Sequence, residues 1–301
     1  MYIQMFNGWY IFWVILLFGL TAALYFLLKN KSAKTQNTVL FSLLVLGFLL
    51  HFLKVYIPPY SADEARMLRD SWFVNICAAN IALFPFMFFS KNQKIKDYMF
   101  YIGIISGFIA IIYPIEPIEK VNQLGEQLDI IRFYYHHWML FAVPLLRALF
   151  KQHKPSYKGI LSAPTGLLLL MLFIMLNQIL QSELGFIPLR DNSDFFDINY
   201  KNTSFIWGPP KNNGIGNFLA TFTPEIFKTV PVGKYAGQEK YWPWFWIIVP
   251  AYVLITPLSF LICMIFDRKQ FMCDVKALTY KTKNYIKLVA AKLTKKSPDD
   301  K

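Results

Sequence analysis

The chain has 301 residues, of which 55% are hydrophobic and 18% aromatic, while only 16% are charged. Soluble domains carry about 25% charged residues, and here the apolar residues come in blocks of the roughly 20 residues that cross a bilayer as helix, so a soluble globular fold is excluded. The formal net charge of +13 comes without any nucleic-acid recognition fold, which removes nucleic acid as a partner and points to lipid instead.

Seven apolar segments follow one another: Trp9–Leu28, Val39–Ile57, Trp72–Phe89, Tyr98–Pro114, Phe133–Phe150, Ile160–Gln181 and Trp244–Phe266. The first lacks a basic leading region and a small-residue cleavage site, so it reads as a retained helix and not a signal peptide. The fourth is the shortest and contains Gly103 and Gly107. The expected fold is an all-α membrane protein, a bundle of about seven transmembrane helices over residues 1–266. A long extracytoplasmic loop, 182–243, precedes the last span and carries turn signals at Trp207-Gly208-Pro209-Pro210 and Asn213-Gly214. Loops of this length are usually functional or form a small cap.

Basic residues in short loops orient such a bundle. Lys29, Lys31 and Lys34 follow the first span, Lys91, Lys94 and Lys96 the third, and Lys151, Lys154 and Lys158 the fifth. The alternate loops carry acids: Asp63, Glu64 and Asp70 against Arg66 and Arg69, then Glu116, Glu119, Glu126 and Asp129 against Lys120 and Arg132. This alternation predicts a multi-pass protein of the cell membrane with its N-terminus outside and its C-terminus cytoplasmic. Residues 267–301 place Phe271, Val275, Leu278, Tyr285, Ile286, Val289 and Leu293 mostly three or four apart, with lysines between. That is a basic amphipathic helix suited to an anionic lipid surface. Nothing in the sequence names a protein partner.

On this topology, polar residues collect at one level. His136 and His137 lie roughly 6–8 Å inside the outer edge of their span, Cys77 roughly 8 Å and His51 about 10 Å, at 1.5 Å per residue. Asn75, Asn80, Asn177 and Gln178 fall in the same outer half, and Lys54 is close enough to the edge to snorkel. Each has an ordinary use: cysteine as a small buried hydrophobe, Asn and Gln as links between helices, histidine bonded to a neighbouring carbonyl. An ionisable residue inside a membrane is nonetheless a functional-site hypothesis, and a shared depth strengthens it. A thiolate is a strong nucleophile and a nearby histidine can take its proton. Asparagine can orient the imidazole or donate to an oxyanion. Cys77 and Asn80 are spaced i, i+3 and share a helix face. Zinc would need three or four ligands. His51, His137 and Cys77 would just suffice, but no HxxxH or HExxH pair is present, so no metal is expected.

Trp72-Phe73-Val74-Asn75-Ile76-Cys77 resembles the third-span cysteine motif of the YwaF-like bacterial membrane proteins and of the eukaryotic transmembrane protein 164. Phe133-Tyr134-Tyr135-His136-His137 resembles their aromatic-rich histidine motif, and Asn199-Tyr200 and Trp242-Pro243-Trp244 resemble their later signatures. The eukaryotic relatives are regarded as Cys-His acyltransferases acting on phospholipid acyl chains. The resemblance implies that Cys77 accepts the acyl group and that His137 is the base, with His136 as the other candidate because the histidine is doubled. Asn75 and Asn80 would be polar support, His51 a further partner, and Asn177 and Gln178 part of the surrounding polar set. No cofactor is called for, since a neighbouring phospholipid can be the acyl donor. The competing expectation is a transporter or carrier whose outer polar ring binds a small solute, although carriers usually extend their polar path to the midplane.

Overall fold

The computed structural model describes residues 2–58, 60–62, 67, 72–119, 124–185, 204–209 and 214–294. The Asn199-Tyr200 signature, Asn213, Lys120 and the charged residues Asp63, Glu64, Arg66, Arg69 and Asp70 lie outside the described residues.

Among the described residues seven helices run 13 residues or more: α1 Gly8–Leu28, α2 Ala33–Leu53, α3 Ile76–Phe88, α4 Gln93–Ile112, α5 Leu128–Leu149, α6 Ser162–Glu183 and α7 Ile248–Thr294. There is no strand among these residues. Side-chain caps set four of the starts. Asn7, Ser32, Asn75 and Asn92 accept hydrogen bonds from the backbone N–H groups of Tyr10, Thr35, Ala78 and Lys94, satisfying donors that a helix start leaves open. The third helix therefore begins at Ile76, four residues later than the expected Trp72. This places Cys77 in its first turn.

Five helices are long and apolar enough to cross a membrane: α1, α2, α4, α6 and α7. The helix α3 is apolar but only 13 residues long. The helix α5 is long but carries Asp129, Arg132, His136, His137 and Arg147. It can carry them because it is the axis of the bundle, packed against α1, α2, α3 and α4 with most of its length buried. Its polar groups find partners on those neighbours. Trp138 donates to Thr21, Tyr135 to the Leu43 carbonyl and Arg147 to the Phe88 carbonyl.

Gly103 and Gly107 let α4 touch α5 directly. A Cβ on Gly103 would lie 2.6 Å from the Leu140 carbonyl oxygen, and one on Gly107 2.6 Å from that of His137. Small residues one turn apart allow close backbone approach where no hydrophobic force drives helices together. The glycines that would weaken an isolated fourth segment are what seat it here.

The last helix spans 47 residues, about 70 Å at 1.5 Å per residue and more than twice the ~30 Å hydrocarbon thickness. Its backbone leaves helical geometry at Asp267 (φ −121°). The buried Asp267 carboxylate accepts from Ser156 Oγ and the Tyr157 N–H at this break. Two turns on, Asp274 takes the Tyr157 hydroxyl and lies 2.7 Å from Lys158 Nζ. The hydrogen bonds from Lys158, Tyr157 and Gln270 hold the Asp274 carboxyl down to about 2. Beyond this latch the described tail residues are almost all exposed.

Candidate functional site

The polar residues of α2, α3, α5 and α6 are mostly buried. Asn75 is committed to its cap, its Oδ1 2.7 Å from the Ala78 N–H. Asn177 donates to the Phe73 carbonyl at 3.3 Å and Gln178 to that of Val74 at 3.5 Å. These two α6 side chains thus hold the chain that leads into the Cys77 turn. Gln178 in turn accepts a 2.6 Å hydrogen bond from Trp207 of the long loop, whose indole is buried. The loop is fastened beyond that point, since Trp246 donates to the Phe205 carbonyl and Trp244 to the Leu168 carbonyl.

His51 is buried on α2, stacked on Phe73 at 6.1 Å and 6.5 Å from the His136 ring. Lys54, expected to snorkel, is buried under Tyr60, its Nζ 5.4 Å from that ring. The 3-10 turns Lys54–Tyr56 and Tyr60–Ala62 fold back over it. Arg132 packs on the same ring, donates to the Tyr60 hydroxyl and pairs with Asp129 at 2.6 Å.

The paired histidines differ sharply. His136 Nε2 is 3.1 Å from the Gly47 carbonyl oxygen, and its Nδ1 is 3.3 Å from the Arg132 guanidinium. A carbonyl only accepts and a guanidinium only donates. His136 is therefore neutral, with its proton on Nε2 and its Nδ1 lone pair engaged. His137 places Nδ1 2.8 Å from the Phe133 carbonyl. By the same logic Nδ1 carries the proton and Nε2 presents a lone pair. Among the described residues that Nε2 has no hydrogen-bond partner. The two imidazoles are thus held by carbonyls on two different helices, Gly47 of α2 and Phe133 of α5.

Cys77 is a free thiol, partly exposed. Glu116, from the short helix Ile115–Glu119, lies within electrostatic reach of Cys77, His137 and Arg132. Sequence reasoning counted Glu116 only as a loop charge. Its one local signal is Pro114-Ile115-Glu116-Pro117, where two prolines turn the chain back toward the bundle. Asn80 is fully buried, and its Oδ1 accepts from the Tyr98 hydroxyl at 2.8 Å. Tyr98 was read only as the start of a span. Among the described residues no three His, Cys, Asp or Glu side chains meet as a metal site.

An axial polar helix enclosed by long apolar ones defines a polytopic integral membrane protein. The histidine helix α5 and the cysteine helix α3 are in contact. The TMEM164 family model matches residues 3–262, and the chain belongs to that family. No curated protein and no solved structure matches it.

Proposed function

We propose that this protein is a membrane acyltransferase, or deacylase, that takes a fatty acyl group from a phospholipid onto Cys77, with His137 as general base. The observation that carries the reading is the Nδ1–H of His137 held on the Phe133 carbonyl, which leaves Nε2 as the proton acceptor. In the reaction His137 Nε2 takes the thiol proton and the sulfur attacks the ester carbonyl carbon. The carbon–oxygen bond to glycerol then breaks, and His137 returns the proton to the departing lysolipid hydroxyl. Attack on the thioester by a second lysolipid, or by water, runs the steps in reverse. Glu116, within reach of both residues, balances the positive charge that proton transfer places on the imidazole. His136, with both nitrogens engaged, is a link between α2 and α5.

All seven helices cross the membrane in this reading. The short α3 completes its crossing through the extended residues before Asn75, and the positive-inside pattern places the N-terminus outside and the tail in the cytoplasm. The exposed lysine-rich tail then lies on anionic lipid.

The test is acyl exchange between labelled and unlabelled glycerophospholipids in vesicles holding the purified chain. Cys77→Ala should abolish exchange. His137→Ala should lower it by about 10²-fold or more, as loss of a general base does. His136→Ala should act through stability, with exchange per folded molecule largely kept. Equal exchange by wild type and Cys77→Ala would end this reading.

A further inference from the structure

Two asparagines flank Cys77: Asn75 caps α3 two residues before it, and Asn80 lies three residues after it. Asn75 is partly exposed, with its Oδ1 taken by the Ala78 N–H. Asn80 is 0% exposed, its Oδ1 is taken by Tyr98, and its Nδ2 has no hydrogen-bond partner among the described residues. A buried amide N–H₂ left unpaired is destabilising, so a native chain that keeps one has a use for it. The position narrows that use. Asn80 is one turn after Cys77 on the same face, and helical side chains lean toward the N-terminus, so the amide covers the turn that carries the thiol. Tyr98 is held independently. Its ring fills the space a Cβ on Gly166 of α6 would occupy, and its hydroxyl lies within electrostatic reach of Cys77. A tyrosine wedged between helices thus fixes the amide oxygen and turns the N–H₂ away from itself.

We infer that Asn80 Nδ2 is the oxyanion donor for acyl transfer at Cys77, and that Tyr98 is the positioning residue that holds it. The inference rests on the Cys77 reading above. When the sulfur bonds to the ester carbonyl carbon, the carbonyl π pair moves onto oxygen. Asn80 N–H donates to that oxygen, and the pair returns as the glycerol oxygen leaves with the proton from His137. A donor already in place and shielded from water stabilises such an anion without reorganising.

The experiment separates this role from a structural one by comparing two reactions of the same sulfur. Alkylation of Cys77 by iodoacetamide forms no oxyanion, whereas thioester formation from a diacyl glycerophosphocholine does. Both are measured on full-length protein in vesicles by mass spectrometry of the Cys77 peptide, in a Cys273→Ser background because Cys273 is exposed. The double variant Asn80→Leu/Tyr98→Phe removes both hydrogen-bond partners together, which a buried site tolerates far better than losing one. It should alkylate within about twofold of wild type and form thioester about 10²–10³-fold more slowly, the size of a lost oxyanion donor. Tyr98→Phe alone should show the same split to a smaller degree. Unchanged thioester formation in the double variant would overturn the inference while leaving the Cys77 reading intact, and would assign the amide to a buried water. A parallel fall of both reactions would overturn it in favour of a packing role. Full acyl transfer by Cys77→Ala would overturn both.

Discussion

Substituting Gly107 tests whether the α4–α5 seam positions the base. A Cβ there would lie 2.6 Å from the His137 carbonyl oxygen, 2.7 Å from the Phe141 nitrogen and 2.8 Å from Phe141 Cβ. None of these is the far end of a flexible side chain, so rotation cannot relieve them. Ordinary contact begins near 3.4 Å, and the two backbones must part by roughly 0.8 Å to reach it, the kind of overpacking that costs about 1–3 kcal/mol. Gly103→Ala makes a matching clash, 2.6 Å from the Leu140 carbonyl, one turn away from the histidine. The two variants should therefore lose similar stability and differ in function. A displacement near 1 Å at a reacting group costs about 10²-fold, so Gly107→Ala should lose acyl exchange by about that factor per folded molecule and Gly103→Ala by much less. Thermal unfolding in detergent measures the first quantity and lipid exchange in vesicles the second. Wild-type stability in Gly107→Ala would refute the seam itself. Equal activity losses in both variants would refute the claim that the seam sets the position of His137.

The tail latch carries its own pH window. The Asp274 carboxyl is held down to about 2, first by its hydrogen bond from Lys158, so the contribution of Asp274 is complete above its unfolded value of about 3.9 and is lost as pH falls through about 2. The Lys158 ammonium is held above its usual range, first by its hydrogen bond to Asp274, so its contribution is complete below about 10.4 and fades only at higher pH. A spin label on the exposed Cys273 should show constant restricted motion from about pH 5 to pH 9, and Asp274→Asn should free it across that range. Motion that changes with pH inside the window would refute the latch. For topology, cysteines placed singly at Ser32 and Val232, in a background without native cysteines, should differ toward an impermeant maleimide on intact cells, with only position 232 labelled. The reverse pattern would invert the bundle.

Much of this protein is local and was legible in its sequence. Blocks of apolar residues establish the membrane class, because hydrocarbon demands helices with every backbone group satisfied. The asparagine and serine caps are equally local but were not read, and α3 starts behind its Asn75 cap, four residues after the expected Trp72. The motifs around Cys77 and His137 carry the family. What the sequence could not order was the polar set itself. Whether His136 or His137 has a free nitrogen depends on the Gly47 carbonyl of α2 and the Phe133 carbonyl of α5. Which way the buried Asn80 amide is held depends on Tyr98, and that in turn on the absence of a side chain at Gly166. Glu116, counted in the sequence only as a loop charge, comes within electrostatic reach of the cysteine. Hydropathy and spacing are properties of neighbours along the chain, whereas a hydrogen-bond partner is a property of neighbours in space, and in a bundle packed around one polar helix those neighbours come from several helices.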